Sequence, residues 1–446
     1  MALEGMNGAD TAWVLMSSAL VLLMTPGLAF FYGGLVQGSN VLNTMMMSII
    51  SMGVTAVSWV LVGFSLSFGS KGGAFIGDFS YIGLSGLDGI LWPDTKLPAI
   101  LFAVFQTTFV VIAAAIISGA VAERMKFSAY VWFICLWSLL IYAPVCHWVW
   151  GPGGWIDGIG VKDFAGGNVV HLTTGVSSLV LAILLGPRLG HGESRKPVPH
   201  SIPFAVLGAA LLWFGWSGFN GGSALAADET AALALVNTYA APAASLVTWA
   251  LLERLQHKRS SSATGMVTGA IVGLVIITPA AAYVSPVAAL LMGACGCVLV
   301  YPTFQLSHHR VDDSLDAFPC HGVSSFVGAC FTGIFARDGG LLYGGGLGLI
   351  AVQVEAALAT ATYTAAMTAA IFFVLSRFIQ MRVAEEDESL GLDNSCHGEV
   401  AYGDHANGAS KSEGEVLSED AGAEDSSATQ TADLEAQNKT DGTCSV

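Results

Sequence analysis

Charge is what this chain has least of. Asp, Glu, Lys and Arg together make up 11% of its 446 residues, against 54% hydrophobic, whereas a soluble domain carries about 25% charged residues. That shortage excludes a soluble globular protein and leaves a polytopic membrane protein. Basic residues are scarcer still, 17 against 33 acidic ones, so a nucleic-acid partner, which needs a basic face, is excluded as well. The formal charge of -16 is concentrated at one end: residues 385–446 hold sixteen of the acidic residues and only Lys411 and Lys439 of the basic ones. The start of the chain lacks the cationic stretch of a signal peptide, since only Glu4 and Asp10 precede the first apolar run, and that run reads as a retained span. The eight cysteines lack metal or redox spacing. Cys295-Gly-Cys297 is not CxxC, and most of the others lie inside apolar runs as small hydrophobic side chains.

What the chain has in quantity is long apolar runs, each near the roughly 20 residues that a helix needs to cross a bilayer. Eleven are separated by Gly, Pro or charge clusters: 11–34, 41–68, 98–121, 127–149, 168–186, 202–220, 229–252, 263–283, 286–302, 321–336 and 348–377. The expected fold is an all-α membrane protein whose termini lie on opposite sides. One set of loops holds Arg124, Lys126, Arg188, Arg195, Lys196, Arg254, Lys258, Arg259, Arg310, Arg377 and Arg382, the other only Lys71, Lys96, Lys162 and Arg337. Cytoplasmic loops are enriched in Lys and Arg, which predicts an extracellular amino terminus and a cytoplasmic carboxy terminus. Asn438-Lys-Thr440 would then never meet a glycosylating compartment.

The runs repeat. Gly27-Leu-Ala-Phe-Phe31-Tyr-Gly33-Gly34 ends span 1, and Gly215-Trp-Ser-Gly-Phe219-Asn-Gly221-Gly222 ends span 6 with Gly and Phe at the same offsets. Gly175-Val-Ser-Ser178 in span 5 recurs as Gly322-Val-Ser-Ser325 in span 10. Units of five spans enter from opposite sides, so spans 1–5 and 6–10 are expected to form an inverted repeat. The 53 glycines suit close helix packing, since lipid supplies no hydrophobic drive for association.

Ionisable groups in or beside membrane spans are costly and mark functional candidates. Asp163 stands eight residues before His171, and Asp316 five before His321. The histidines belong to matched spans, so they are expected to meet from the two halves, and a coupled pair of imidazoles suits a polar, uncharged or proton-carrying solute. A zinc site is the competing reading, but it needs three or four convergent ligands, and only Cys320 stands near. Asp163 follows the pattern of a helix cap, which also allows it to attract a cation. Asp312-Asp313-Ser-Leu-Asp316 reads as a solvated or capping cluster on the cytoplasmic side. Phe105, Phe109, Tyr142, Trp148, Trp150, Trp216 and Phe219 fall towards the outer ends of spans 3, 4 and 6. They read as an interfacial belt or as a cage for a small cation.

Four stretches in order, Ala122-Glu-Arg-Met-Lys-Phe127, Asp163-Phe-Ala-Gly-Gly-Asn-Val-Val-His171, Gly215-Trp-Ser-Gly-Phe219-Asn-Gly-Gly-Ser223 and Asp312-Asp-Ser-Leu-Asp316-Ala-Phe-Pro-Cys-His321-Gly-Val, resemble the ammonium transporter (Amt/MEP) family over about residues 9–403. The resemblance implies a transporter rather than an enzyme, without cofactor or metal, built as a homotrimer in membrane lipid with one pore per subunit. It carries ammonium or ammonia, with methylammonium as a further substrate, across the plasma membrane. It assigns Trp150, Ser223, Phe109 and Asp163 to an outer NH4+ site, Phe109 and Phe219 to a stacked gate, and His171, His321 and Trp216 to the pore, with Tyr142 supporting it. Gly391, Asp393, His397, Gly398, Glu399 and Tyr402 match its regulatory carboxy-terminal segment, a surface for cytoplasmic regulators. The domains expected are 1–383 in the membrane, 384–404 regulatory, and an acidic tail 405–446 whose composition is that of a disordered segment. Ser217, Gly221 and Pro319 depart from the family pattern and bear on vestibule shape and the angle of span 10. A receptor that senses ammonium and signals through the tail is the alternative from another class.

Overall fold

Backbone N–H and C=O groups cannot be left unpaired in hydrocarbon, so each long apolar run closes its hydrogen bonds on itself as a helix. The computed structural model describes residues 3–192, 198–257 and 260–402. Among them, eleven helices are long and apolar enough to cross a membrane: α1 (Gly8–Leu35), α2 (Val41–Phe68), α3 (Ala99–Val121), α4 (Phe127–Gly158), α5 (Gly167–Leu185), α6 (Ile202–Gly222), α7 (Glu229–Gln256), α8 (Ala263–Ala280), α9 (Pro286–Ser307), α10 (Phe318–Phe335) and α11 (Gly348–Leu375). Two short helices follow, α12 (Glu385–Leu390) and α13 (Leu392–His397). Among the described residues the only β pairings are isolated bridges, Leu91 with Pro98 and Met125 with Arg382. Helix starts are set by side chains that take up free backbone N–H groups. The Asn7 side chain accepts from Ala9 and Asp10, Ser201 from Phe204, Ser262 from Gly265 and Ser285 from Ala288.

Several expected boundaries move by a few residues, such as the end of span 9 from 302 to Ser307, and two of the changes have a plain local cause. The fourth span was expected to stop at 149, but helical structure resumes beyond the Gly151-Pro-Gly-Gly turn at Trp155–Gly158. The tenth was expected to begin at 321 and instead begins at Phe318, because Pro319 is well placed in a first turn, where its missing N–H has no intrahelical partner to lose.

α1 and α6 pack against each other, and their contacts are reciprocal. Gly27 abuts Gly208 and Leu212, while Gly215 abuts Leu20 and Met24; Gly34 abuts Ala205, while Gly222 abuts Ser17. Pairing Gly27 with Gly215 also pairs Leu20 with Gly208, Met24 with Leu212, Ser17 with Ala205 and Gly34 with Gly222. Each contact therefore maps onto its mate, as a twofold relating the two helices requires. The five-helix units α1–α5 and α6–α10 form an inverted repeat. The other shared string behaves differently: Gly175 and Gly322 press directly on each other, so Gly-Val-Ser-Ser marks the crossing of α5 with α10. The equivalent residues of those two helices lie in another register, set by the site itself.

Residues 3–401 of the compact unit Met1–Ala401 carry these elements. The segment after α11 lies against the first turn of α2 and the loop before it: Leu42 N and Asn43 N donate to the Asp393 carboxylate at 3.0 and 2.8 Å, and Leu392 N donates to Asn40 Oδ1 at 2.8 Å. The free cysteines are less uniformly internal than expected, with Cys146, Cys297 and Cys320 buried but Cys295 and Cys396 exposed. The tail 405–446, its Asn438-Lys-Thr440, and Arg195, Lys196, Lys258 and Arg259 lie outside the described residues.

Candidate functional site

α5 and α10 both open in a wide π-helical turn, Gly167–Leu172 and Phe318–Val323, and each turn carries one histidine. His171 Nδ1 lies 3.2 Å from His321 Nδ1, with the rings 5.3 Å apart and 21° from parallel. One Nδ1 must carry the proton and the other the lone pair, which leaves a donor on one outer nitrogen and an acceptor on the other. Both rings are buried, and His171 Nε2 has no hydrogen-bond partner. The cavity they line is otherwise apolar, walled by Leu28, Phe31, Ile112, Ile116, Leu212 and Ile271 together with Trp216 and Phe219.

The aromatic residues stack upward from the histidines. Trp216 lies flat on His171, centroids 5.3 Å apart and 20° from parallel, and its Nε1 donates to Thr278 Oγ1 at 3.0 Å. Phe219 stacks on Phe109 at 4.3 Å and 27° and reaches His171 at 5.8 Å. Phe109 meets Trp150 edge-on at 6.0 Å. The order Trp150, Phe109, Phe219, His171 thus forms a continuous file from the face that carries the amino terminus into the cavity. Ser223 ends α6 one turn past Phe219 and donates its hydroxyl to the Phe219 carbonyl at 2.8 Å. Tyr142 is buried away from this file, edge-on to Trp59 and against Trp137, where it braces α2 on α4.

Asp163 caps α5. Its carboxylate accepts from Gly166, Gly167 and Asn168 N at 3.0, 2.5 and 2.7 Å, and Trp150 Nε1 donates to its carbonyl at 3.0 Å. Gly166 takes φ +106°, a conformation that only glycine adopts without strain. Burial pushes this carboxyl above the ordinary range against the pull of the N–H groups. One residue therefore fixes both the first turn that bears His171, through its carboxylate, and the ring that leads to it, through its carbonyl.

Of the two roles its sequence allows, solvated or capping, the acidic stretch on the opposite face takes the capping one. Asp312 and Asp313 are buried, not solvated. Asp312 is held bidentately by Arg188, which also pairs with Glu123 at 2.5 Å. Burial works against its charge, but these bonds to Arg188 hold Asp312 at about 2. Asp313 caps α10, for its carboxylate accepts from Ala317 N at 3.1 Å and Phe318 N at 2.7 Å. Burial and the neighbouring Asp316 charge raise Asp313 to about 7. Asp313 precedes His321 by the same eight residues that separate Asp163 from His171, and that spacing was visible in the sequence. The apolar wall residues had no such signal. Among the described residues no group of three His, Cys, Asp or Glu side chains is placed to hold a metal ion.

In the carboxy-terminal segment, Gly391 and Gly398 take φ +96° and +65°, Asp393 caps α2 as described, and His397 Nε2 lies 3.0 Å from Asn43 Oδ1. Glu399 N donates to the Asp393 carbonyl at 3.2 Å, and Tyr402 is exposed.

Residues 12–402 match the description of the Ammonium Transporter Family. The chain is 46% identical to an ammonium transporter of Bacillus subtilis over 410 residues, covering 90% of this chain and all of that one. It is 39% identical to Ammonium transporter Amt1 of Archaeoglobus fulgidus, covering 89% of this chain and all of that one. The crystal structure of Candida albicans Mep2 superposes with a TM-score of 0.81 at 32% identity, covering 86% of this chain and 88% of that one. A structure described as a sensor Amt protein superposes equally well at 29% identity, covering 86% of this chain and 97% of that one. A family match over nearly the whole transmembrane region, relatives of full length and eleven helices in the same arrangement lead to one conclusion: this chain is an integral, multi-pass membrane protein of the ammonium transporter family.

Proposed function

We propose that the protein recruits NH4+ from outside at Trp150, Phe109, Ser223 and Asp163, removes its proton near the Phe109–Phe219 pair, and conducts NH3 past His171 and His321. The Lys and Arg asymmetry of the loops supports an extracellular amino-terminal face with the carboxy terminus inside, and the family resemblance implies the plasma membrane. The observation that carries the reading is the histidine pair, 3.2 Å apart in an otherwise apolar cavity. A cation entering that cavity loses its hydration with no oxygen ring to replace it, so K+ is rejected. Ammonium can shed a proton and continue as a small neutral solute that donates to and accepts from imidazole. Before that step the rings of Trp150 and Phe109 attract the cation by about 0.5–2 kcal/mol, and methylammonium is small enough to follow. The chain acts as a homotrimer with one pore per subunit in membrane lipid. Residues 384–404 regulate it, together with any cytoplasmic partner of the tail 405–446.

The proton either follows through the histidines or returns outward, and purified protein in liposomes distinguishes these. A charge displacement on an ammonium pulse establishes net proton transfer; none establishes NH3 conduction. Replacing His171 or His321 by Ala is expected to weaken discrimination against K+ by about tenfold or more, the scale of one lost polar contact in a buried site. Unchanged discrimination in both variants would sink the histidine pore. The likeness to a sensor Amt protein supports a second reading, in which occupancy is reported through the tail 405–446. Truncation after residue 404 that abolishes signalling but spares uptake would establish it.

A further inference from the structure

We propose that Asp313 is the inner positioning residue of the histidine pair, holding His321 from the carboxy-terminal face as Asp163 holds His171 from the amino-terminal face. The inference rests on the histidine-pore reading above and extends it to a residue outside the cavity. Four observations align at one register. Each carboxylate stands eight residues before its histidine. Each accepts main-chain N–H groups of the turn that opens the helix, three for Asp163 and two for Asp313. Each is followed at the third residue by a left-handed backbone, φ +106° at Gly166 and +58° at Asp316. Each leads into a π-helical turn.

The inner cap has fewer donors, because Asp316 N turns back to the Asp313 carbonyl at 3.3 Å and Pro319 has no N–H. The left-handed residue there is also not glycine, so the turn is strained where the outer one is relaxed. What keeps it in place is the neighbour: Asp312 is clamped by Arg188, and its carbonyl accepts from Arg124, which also donates to Ser314 at 2.6 Å. With residues 312 and 314 pinned from outside the helix, the Asp313 carboxylate is aimed at Ala317 and Phe318. Three residues beyond Phe318 lies His321, at 3.2 Å from its partner ring. Losing the cap lets the first turn of α10 shift, and the histidine moves with it.

A double-mutant cycle on transport tests this. Ammonium flux per purified molecule is measured in liposomes for the native protein, Asp313→Ala, His321→Ala and the double variant. Asp313→Ala is expected to lower flux by about fivefold, the scale of a lost side-chain cap. Asp313→Asn, which keeps one oxygen for the N–H groups, should recover most of that loss. On the His321→Ala background, removing Asp313 should cost nothing further, since its effect passes through the ring already gone. A further fivefold loss on that background, or native flux in Asp313→Ala, overturns the assignment. If Asp313→Ala yields no folded protein, the same cycle run with Asp313→Asn decides it on the same additivity. A neutral His321→Ala single variant would instead sink the pore reading itself.

Discussion

Adjacent carboxyls on this protein are driven in opposite directions by what faces them. Asp312 and Asp313 are both buried, yet Arg188 holds the first at about 2 while burial and Asp316 lift the second to about 7. The groups facing Asp313 are Asp316, Arg124 and two backbone N–H groups, with Tyr32 and Cys320 near enough to feel its charge. The linkage to stability follows from proton counts. Between the ordinary carboxylate value near 3.8 and about 7 the folded protein keeps a proton on Asp313 that the unfolded chain has released. Stability therefore falls as pH rises through that window and levels above it. Asp312 works in the other sense, adding stability that is lost only as pH falls towards 2. Asp313→Asn removes the upper slope. The thermal midpoint of the variant relative to the native protein should rise between about pH 5 and 7.5; parallel curves across that range would mean Asp313 is ionised throughout.

At the scale of elements, helix packing here depends on what a glycine faces. A Cβ on Gly208 would meet the Phe31 backbone, which cannot move, whereas one on Gly27 would meet Leu211 Cβ at 3.0 Å and asks only for a few tenths of an ångström. Gly208→Ala is therefore expected to destabilise by at least the ~1–3 kcal/mol of an overpacked core, seen as a lower thermal midpoint in detergent, and Gly27→Ala by clearly less. Equal shifts would mean that the α1–α6 crossing is looser than its contacts indicate. The same crossing shows what the sequence could disclose. Gly27 to Gly34 and Gly215 to Gly222 share offsets because both helices need small residues at equivalent heights, so the repeat was readable there. Gly-Val-Ser-Ser matched for another reason: two glycines were needed where α5 and α10 touch, and the string gave the crossing instead of the equivalence. Asp316 was paired with His321 because three carboxylates stand close together and only backbone geometry selects Asp313. Leu28, Ile112 and Ile116 gave no signal at all, since an aliphatic side chain reads the same whether it faces a pore, a neighbour or lipid.

At the scale of the molecule, the two ends of the transmembrane unit are joined by charge and by caps. Asp393 takes up the Leu42 and Asn43 N–H groups that α2 leaves free at its start, an arrangement that also complements the helix dipole. Arg382 pairs with Glu388 at 2.8 Å, and Glu388 also accepts from Leu189 N at 2.7 Å beside Arg188. The carboxy-terminal segment thus touches α2 directly and reaches Asp312, next to Asp313, through the loop between α5 and α6. None of this was legible beyond the resemblance of Gly391 to Tyr402 to a family segment, because capping of one helix by a residue some 350 positions away leaves no local pattern. Asp393→Ala removes the cap and should cost about 1 kcal/mol, enough to free the segment without unfolding α2. The expected result is faster protease cleavage within 384–399, with the thermal midpoint of the transmembrane unit nearly unchanged and a changed ammonium flux in liposomes. If cleavage accelerates and flux does not change, the segment is a structural clasp, and regulation of the pore must come from elsewhere.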